Sequence, residues 1–179
     1  MRKLIILVCV AGVIGIGMGC DAFRSWEPYE SKDGWFGAEF PGSPKVQKIP
    51  YNVPPLGSVD LYMFSVELRS GAYAVCYFDF PEEVGANLSS DTLLENMAAG
   101  SYNTIGTGRF TKKEIDQDGY TGLETEGEIR HGKTKGVARF RYFMVDGRAF
   151  MLQAIGIKSF VSSSDTTRFF DSFKLLEED

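Results

Sequence analysis

Glu124, Glu126 and Glu128 alternate along the chain, and alternating residues of an extended segment share one face. Three carboxylates on one face are the groups that bind a divalent cation, or that serve as an acid and a base. Arg139 and Arg141 repeat the spacing after a turn-like stretch, so a hairpin around His131-Gly132-Lys133 sets the Glu row against the Arg pair. A cation would need further oxygen ligands in the right shell. The plain alternative is a solvated strand face on which these charges pair. We take Glu124, Glu126, Glu128, Arg139 and Arg141 as the candidate interaction surface.

Other chemistries lack their parts. Nucleophilic catalysis needs a base beside the nucleophile, and the single histidine, His131, sits in the basic, turn-like Arg130-His131-Gly132-Lys133. No G-x-S-x-G elbow occurs. Cys76 lies in the apolar Val75-Cys76-Tyr77 and reads as a small buried hydrophobe. Cys9 and Cys20 belong to the amino-terminal segment, so a Cys/His metal site fails on ligand count. Asp116-Gln117-Asp118-Gly119 opens like a calcium loop, but Gly127 holds the place of the closing Glu, and a β-turn is the better reading. Gly106-Thr107-Gly108 leads into a strand-like segment, where a phosphate cradle would lead into a helix. No catalytic residue, metal or cofactor is therefore assigned.

Arg130, Lys133, Lys135, Arg139, Arg141 and Arg148 make the carboxyl-terminal half locally basic, with Phe140, Tyr142 and Phe143 interleaved. A nucleic-acid surface conflicts with a formal net charge of -5. Ordinary solvated charge is the simplest reading, and a face towards anionic headgroups comes next.

The headgroup reading arises from the amino terminus. Arg2 and Lys3 precede an uncharged run from Leu4 to Met18, and Gly19-Cys20 closes it. That is the form of an export signal. The run is shorter than the ~20 apolar residues of a spanning helix, which ranks an uncleaved membrane anchor as the alternative behind a cleaved signal. Gly17-Met18-Gly19-Cys20 resembles the lipobox of bacterial lipoproteins at Gly19 and Cys20, and departs from it at Gly17 and Met18. The resemblance implies cleavage between Gly19 and Cys20 and a diacylglyceryl group on the Cys20 thiol. It places the protein in the bacterial cell envelope, lipid-anchored and facing outside the cytoplasm. Asp21 resembles an inner-membrane retention signal of some bacteria, and the choice of membrane stays open. Loss of Arg2 and Lys3 with the signal moves the formal charge from -5 to -7.

The elements that must position these residues follow from turn signals between β-type runs. Residues 1–19 are the signal, 20–32 a tether, 33–176 one domain, and 177–179 an acidic tail. Strands are expected at Trp35–Phe40, Lys45–Ile49, Val59–Arg69, Ala72–Phe80, Phe110–Asp116, Tyr120–Arg130, Gly136–Val145 and Arg148–Ile157. Pro50, Pro54 and Pro55 read as a rigid loop, and Ser70-Gly71 as a hairpin turn. Asp146-Gly147 suits a type I′ turn, which would face Val145 with Arg148, Phe143 with Phe150 and Tyr142 with Met151. Asp118-Gly119 suits another. Leu93, Leu94, Met97 and Ala98 have helical spacing behind the capping candidates Ser89, Ser90 and Thr92. Ser164 to Phe173 reads as a second helix. Ala72–Phe80 is apolar on both faces, so part of the sheet must be covered on both sides. The class is α+β: a single domain, mainly antiparallel sheet with helices packed on it.

The order of these pieces resembles the PsbP-like family. The cues are Phe40-Pro41-Gly42 ending an early strand, the mid-chain helix, Gly122-Leu123-Glu124, the Asp-Gly hairpin and the closing Phe169-Phe170-Asp171-Ser172-Phe173. The resemblance implies a PsbP-like sandwich and a role in binding or assembly. It carries over no catalytic or metal-binding residue. The resulting expectation is a membrane-tethered, noncatalytic binding or assembly module of the envelope, whose partners are the membrane, through Cys20, and an unknown envelope protein. The alternative is an envelope enzyme or small-ligand binder with a carboxylate/Arg site on the sheet.

Overall fold

A computed structural model describes residues 25–53, 57–80, 89–105, 109–131 and 134–176. Gly19, Cys20, Pro54, Pro55, the 106–108 glycines, Lys133 and the 177–179 tail lie outside the described residues.

The strands are β1 (Glu27–Ser31), β2 (Phe36–Phe40), β3 (Lys45–Val53), β4 (Gly57–Glu67), β5 (Gly71–Asp79), β6 (Thr111–Gln117), β7 (Tyr120–His131), β8 (Thr134–Val145), β9 (Arg148–Gly156) and β10 (Lys174–Leu175). The helices are α1 (Ser90–Ile105), α2 (Lys158–Val161) and α3 (Ser164–Asp171). Seven strands form one antiparallel sheet in the order β3-β4-β5-β9-β8-β7-β6, and β1-β2-β10 form a small second sheet. The class is α+β, as the alternation of apolar runs and turns requires.

Turn chemistry sets the register. Asp146 and Gly147 have φ of 49° and 80°, and Asp118 and Gly119 have 54° and 85°. The first turn pairs Val145 with Arg148, Phe143 with Phe150 and Tyr142 with Met151, as the sequence requires. The β4–β5 turn falls on Arg69-Ser70, one residue earlier than expected, because Gly71 N–H and C=O already pair with Leu68. Ser89 caps α1, its Oγ accepting from Thr92 N at 3.3 Å. Ser163 caps α3 in the same way, accepting from Thr166 N at 3.2 Å.

The large sheet is covered on both faces, which is why β5 and β9 are buried along most of their length and carry mainly apolar residues on both sides. Leu93, Leu94, Ala98 and Tyr102 of α1 pack on one face against Cys76, Phe140, Ala149 and Ile155. The small sheet, α2 and α3 cover the other, with Phe36, Phe40, Phe169, Phe170 and Phe173 against Tyr73, Tyr77, Phe143 and Phe150.

Two expectations are corrected. Residues 27–31 of the supposed tether are β1, which pairs with β2 and packs Tyr29 against Phe36, Phe40 and Phe64. The segment looks polar because only one of its faces is covered. Pro50 lies inside β3, opposite Asp60, and not in a loop. β3 is an edge strand, where a residue without an N–H need leave no ladder bond unmade.

Candidate functional site

β7 and β8 bring Glu124 opposite Arg141 and Glu126 opposite Arg139, the register expected of the hairpin. The side chains do not pair rung by rung. Glu124 takes both arginines: Arg139 Nη2 donates to Oε1 at 2.8 Å and Arg141 Nε to Oε2 at 2.7 Å. Glu126 and Glu128 are exposed and make no ion pair among the described residues. The three-carboxylate row is therefore one engaged carboxylate and two solvated ones.

The reason lies in what covers this face. α3 sets the Phe170 ring under both guanidinium groups, 5.3 Å from Arg139 Cζ and 5.1 Å from Arg141 Cζ. Arg141 Nη1 also donates to Gln117 Oε1 and Asp171 Oδ1, both at 2.9 Å. Gln117 Nε2 then donates to the Phe170 and Phe173 carbonyls at 2.9 and 2.7 Å. β6, β7, β8 and α3 thus meet in one polar cluster, with the Arg141 side chain 13% exposed and that of Glu124 16%. Burial pushes the Glu124 carboxyl up, but the hydrogen bonds and charges of Arg141 and Arg139 outweigh it and hold it below its ordinary range. It stays ionised as an acceptor between two cations and is poorly suited to giving up a proton at neutral pH.

An open groove of about 580 Å³ runs along β6 beside this cluster, lined by Lys113 to Asp118 with Arg141 and Asp171. None of the three glutamates lines it. Among the described residues, no group of three His, Cys, Asp or Glu side chains could hold a metal ion.

The basic stretch is corrected by the same packing. Arg139 and Arg141 turn inward, and Arg148 is buried outright at 8% exposure. Its guanidinium lies between Trp35 (4.0 Å) and Tyr77 (4.6 Å), holds Asp79 through two bonds of 2.6 and 3.1 Å, and donates to the Asp33 carbonyl at 2.9 Å. This clamp ties the β1–β2 turn to the large sheet. It also faces Trp35, at φ 55°, a conformation that bulky residues seldom adopt.

His131 ends β7 opposite Thr134, and its side chain lies outside the described set. Cys76 is fully buried, and Gln153 Nε2 donates to its sulfur at 3.1 Å. Gly119 N donates to Asp116 Oδ1 at 3.3 Å in the turn that resembled the start of a calcium loop. Sequence reasoning missed Gln117, Phe170 and Asp171 as members of the cluster. Phe170 and Asp171 stand in the closing aromatic segment, which reads as a helix and a fold cue and not as part of a site, while Gln117 carries no local signal.

No protein-family model and no curated protein sequence matches this chain. Solved structures are similar to it, two of them as follows. A Bacteroides thetaiotaomicron crystal structure superposes with a TM-score of 0.54 at 10% identity over 87% of this chain. It is the larger protein, and this chain spans 50% of its length. The solution structure of cyanobacterial PsbP (CyanoP) from Synechocystis superposes with a TM-score of 0.57 at 13% identity, over 93% of this chain and 98% of that one. At such identities the likeness concerns architecture alone, and the architecture is a PsbP-like α+β fold.

Proposed function

We propose that this protein is a membrane-tethered, noncatalytic binding or assembly module of the bacterial cell envelope. The observation that carries the reading is the run Leu4–Met18 closed by Gly19-Cys20, set just ahead of Trp26, the first packed residue among those described. A lipid on Cys20 would be the anchor. Several acyl chains, at roughly 0.8 kcal/mol per buried methylene, hold a domain where one does not. Among the described residues, no helix is long and apolar enough to cross a membrane.

The internal pairing of Glu124 with Arg139 and Arg141 supports the noncatalytic part. An enzyme or small-ligand binder of the alternative kind would gather the Glu row and the Arg pair around a concavity. Here the groove receives Arg141 and Asp171, and the engaged glutamate faces its partners.

Mass spectrometry of the mature amino terminus tests the anchor, and the expected result is a diacylglyceryl-modified Cys20 as first residue. An unmodified Cys20, or a start elsewhere, overturns it. Affinity capture of the lipidated protein from its own membrane tests the binding role. One stoichiometric envelope partner supports assembly, and none points to a purely structural part.

A further inference from the structure

The register gathers aspartates at one end of the large sheet, two of them paired with Lys48 and Arg148, and sets exposed cations at the other. Asp33, Asp60, Asp79, Asp116, Asp118 and Asp146 gather where β8 turns into β9 and β6 into β7. Gly71, Gly156, Val137 and Glu128 form the last rung shared by β5, β9, β8 and β7 at the other end. Beyond that rung stand Arg69, Lys158, Lys135 and Arg130, all exposed. Ile157 sits among them with 54% of its surface in solvent. The acids here are Glu67, one rung back, Glu128 on the rung, and Asp165 at the start of α3.

The chain enters at the cationic end. The Trp26 ring lies 5.7 Å from that of Tyr73, close to the start of β5, and Arg168 lies over Trp26 at 5.0 Å. From Cys20 to Ser25 a fully extended backbone reaches at most about 17 Å. A lipid on Cys20 would therefore hold the Arg/Lys rim near the headgroups, with the aspartate end turned away. An exposed isoleucine ringed by cations suits the boundary between headgroups and acyl chains.

We propose that Arg69, Arg130, Lys135 and Lys158 around Ile157 form a docking surface for anionic phospholipid headgroups, so that the domain lies on the bilayer by this end. The proposal rests on the anchored reading above.

The mature protein, purified from a bacterial membrane, is reconstituted in phosphatidylcholine vesicles with or without phosphatidylglycerol. One variant carries a fluorophore at Ile157→Cys and another at Asp146→Cys, and a headgroup-labelled lipid serves as quencher. A cooperative thermal melt above the assay temperature establishes that each variant folds, the positive φ of position 146 costing Asp146→Cys some stability. With phosphatidylglycerol, quenching at position 157 is expected to exceed that at 146 severalfold. The excess should disappear at high salt and when Arg69, Lys135 and Lys158 are replaced by Ser. Equal quenching at the two positions, or an excess indifferent to phosphatidylglycerol and salt, overturns the surface. The amino-terminal mass of the same sample separates the two ideas. A modified Cys20 with equal quenching keeps the anchor and removes the surface, and an unmodified Cys20 with a salt-sensitive excess does the reverse.

Discussion

At the scale of single residues, the informative side chains hold one another. Glu124 accepts from two guanidinium groups and is held below its ordinary pKa by them, against the upward push of its own burial. A carboxyl depressed in the folded state adds stability that is present above its unfolded pKa, about 4.3 for Glu, and is lost as pH falls through the folded value. The stability of the native protein is therefore expected to fall over that acid window. Glu124→Gln should remove this part of the slope and cost about 1–3 kcal/mol at neutral pH, by denaturant melts across pH. Arg148 makes a different case, because Asp79 is itself largely exposed and loses little when left alone. What Arg148 supplies is a planar group stacked between Trp35 and Tyr77. Lysine keeps the charge but neither the fork nor the stack. Arg148→Lys is expected to cost about 1–2 kcal/mol, read as a melting temperature lower by about 2–8 °C.

At the scale of elements, hairpins and caps are local and need little help. Each Asp-Gly turn places two successive residues at positive φ, which selects those residue types and fixes the register of the strands it joins. Two glycines outside those turns make a sharper test. Gly100 lies within α1 with open space where a Cβ would go. Gly100→Ala should stabilise the protein by about 0.5–1 kcal/mol, because the unfolded chain loses freedom and the folded one loses nothing. At Gly156 the added carbon would meet the Ser70 carbonyl oxygen and the Gly71 backbone, which cannot give way as a side chain does. Gly156→Ala is expected to destabilise by about 3 kcal/mol. A thermal melt of the pair reads both signs, and matching shifts in one direction would contradict this packing.

At the scale of the whole molecule, the fold closes through residues 173–176. Phe173 is 3% exposed and touches Phe36 of the small sheet together with Phe143 and Phe150 of the large one. β10 then pairs with β2, and Leu176 N donates to the Trp35 carbonyl at 2.9 Å. Residues 173–176 therefore join both sheets. Phe173→Ala should leave a cavity between them and cost about 3–5 kcal/mol, measured by denaturant unfolding. Gln117 reports the same closure, since its amide is held by two carbonyls of the α3–β10 segment.

Eight of the strands, the register of the Asp146-Gly147 hairpin, the mid-chain helix and the facing of the Glu row with the Arg pair were legible in the amino-acid order. Each depends on alternation or on turn residues within a few positions, and backbone sterics make such patterns nearly self-sufficient. The proposed amino-terminal export signal also rests on the order alone, since hydropathy and the place of Cys20 are properties of the sequence. What covers each face was decided by tertiary structure. Arg139, Arg141 and Arg148 look alike as sequence, yet all three turn inward beside aromatic rings from remote segments, while Arg130 and Lys135 stay in solvent. β1 was hidden for the same reason, because its one buried face is defined by β2 and β4. The energy of a charge depends on the medium around it, and residues far along the chain supply that medium.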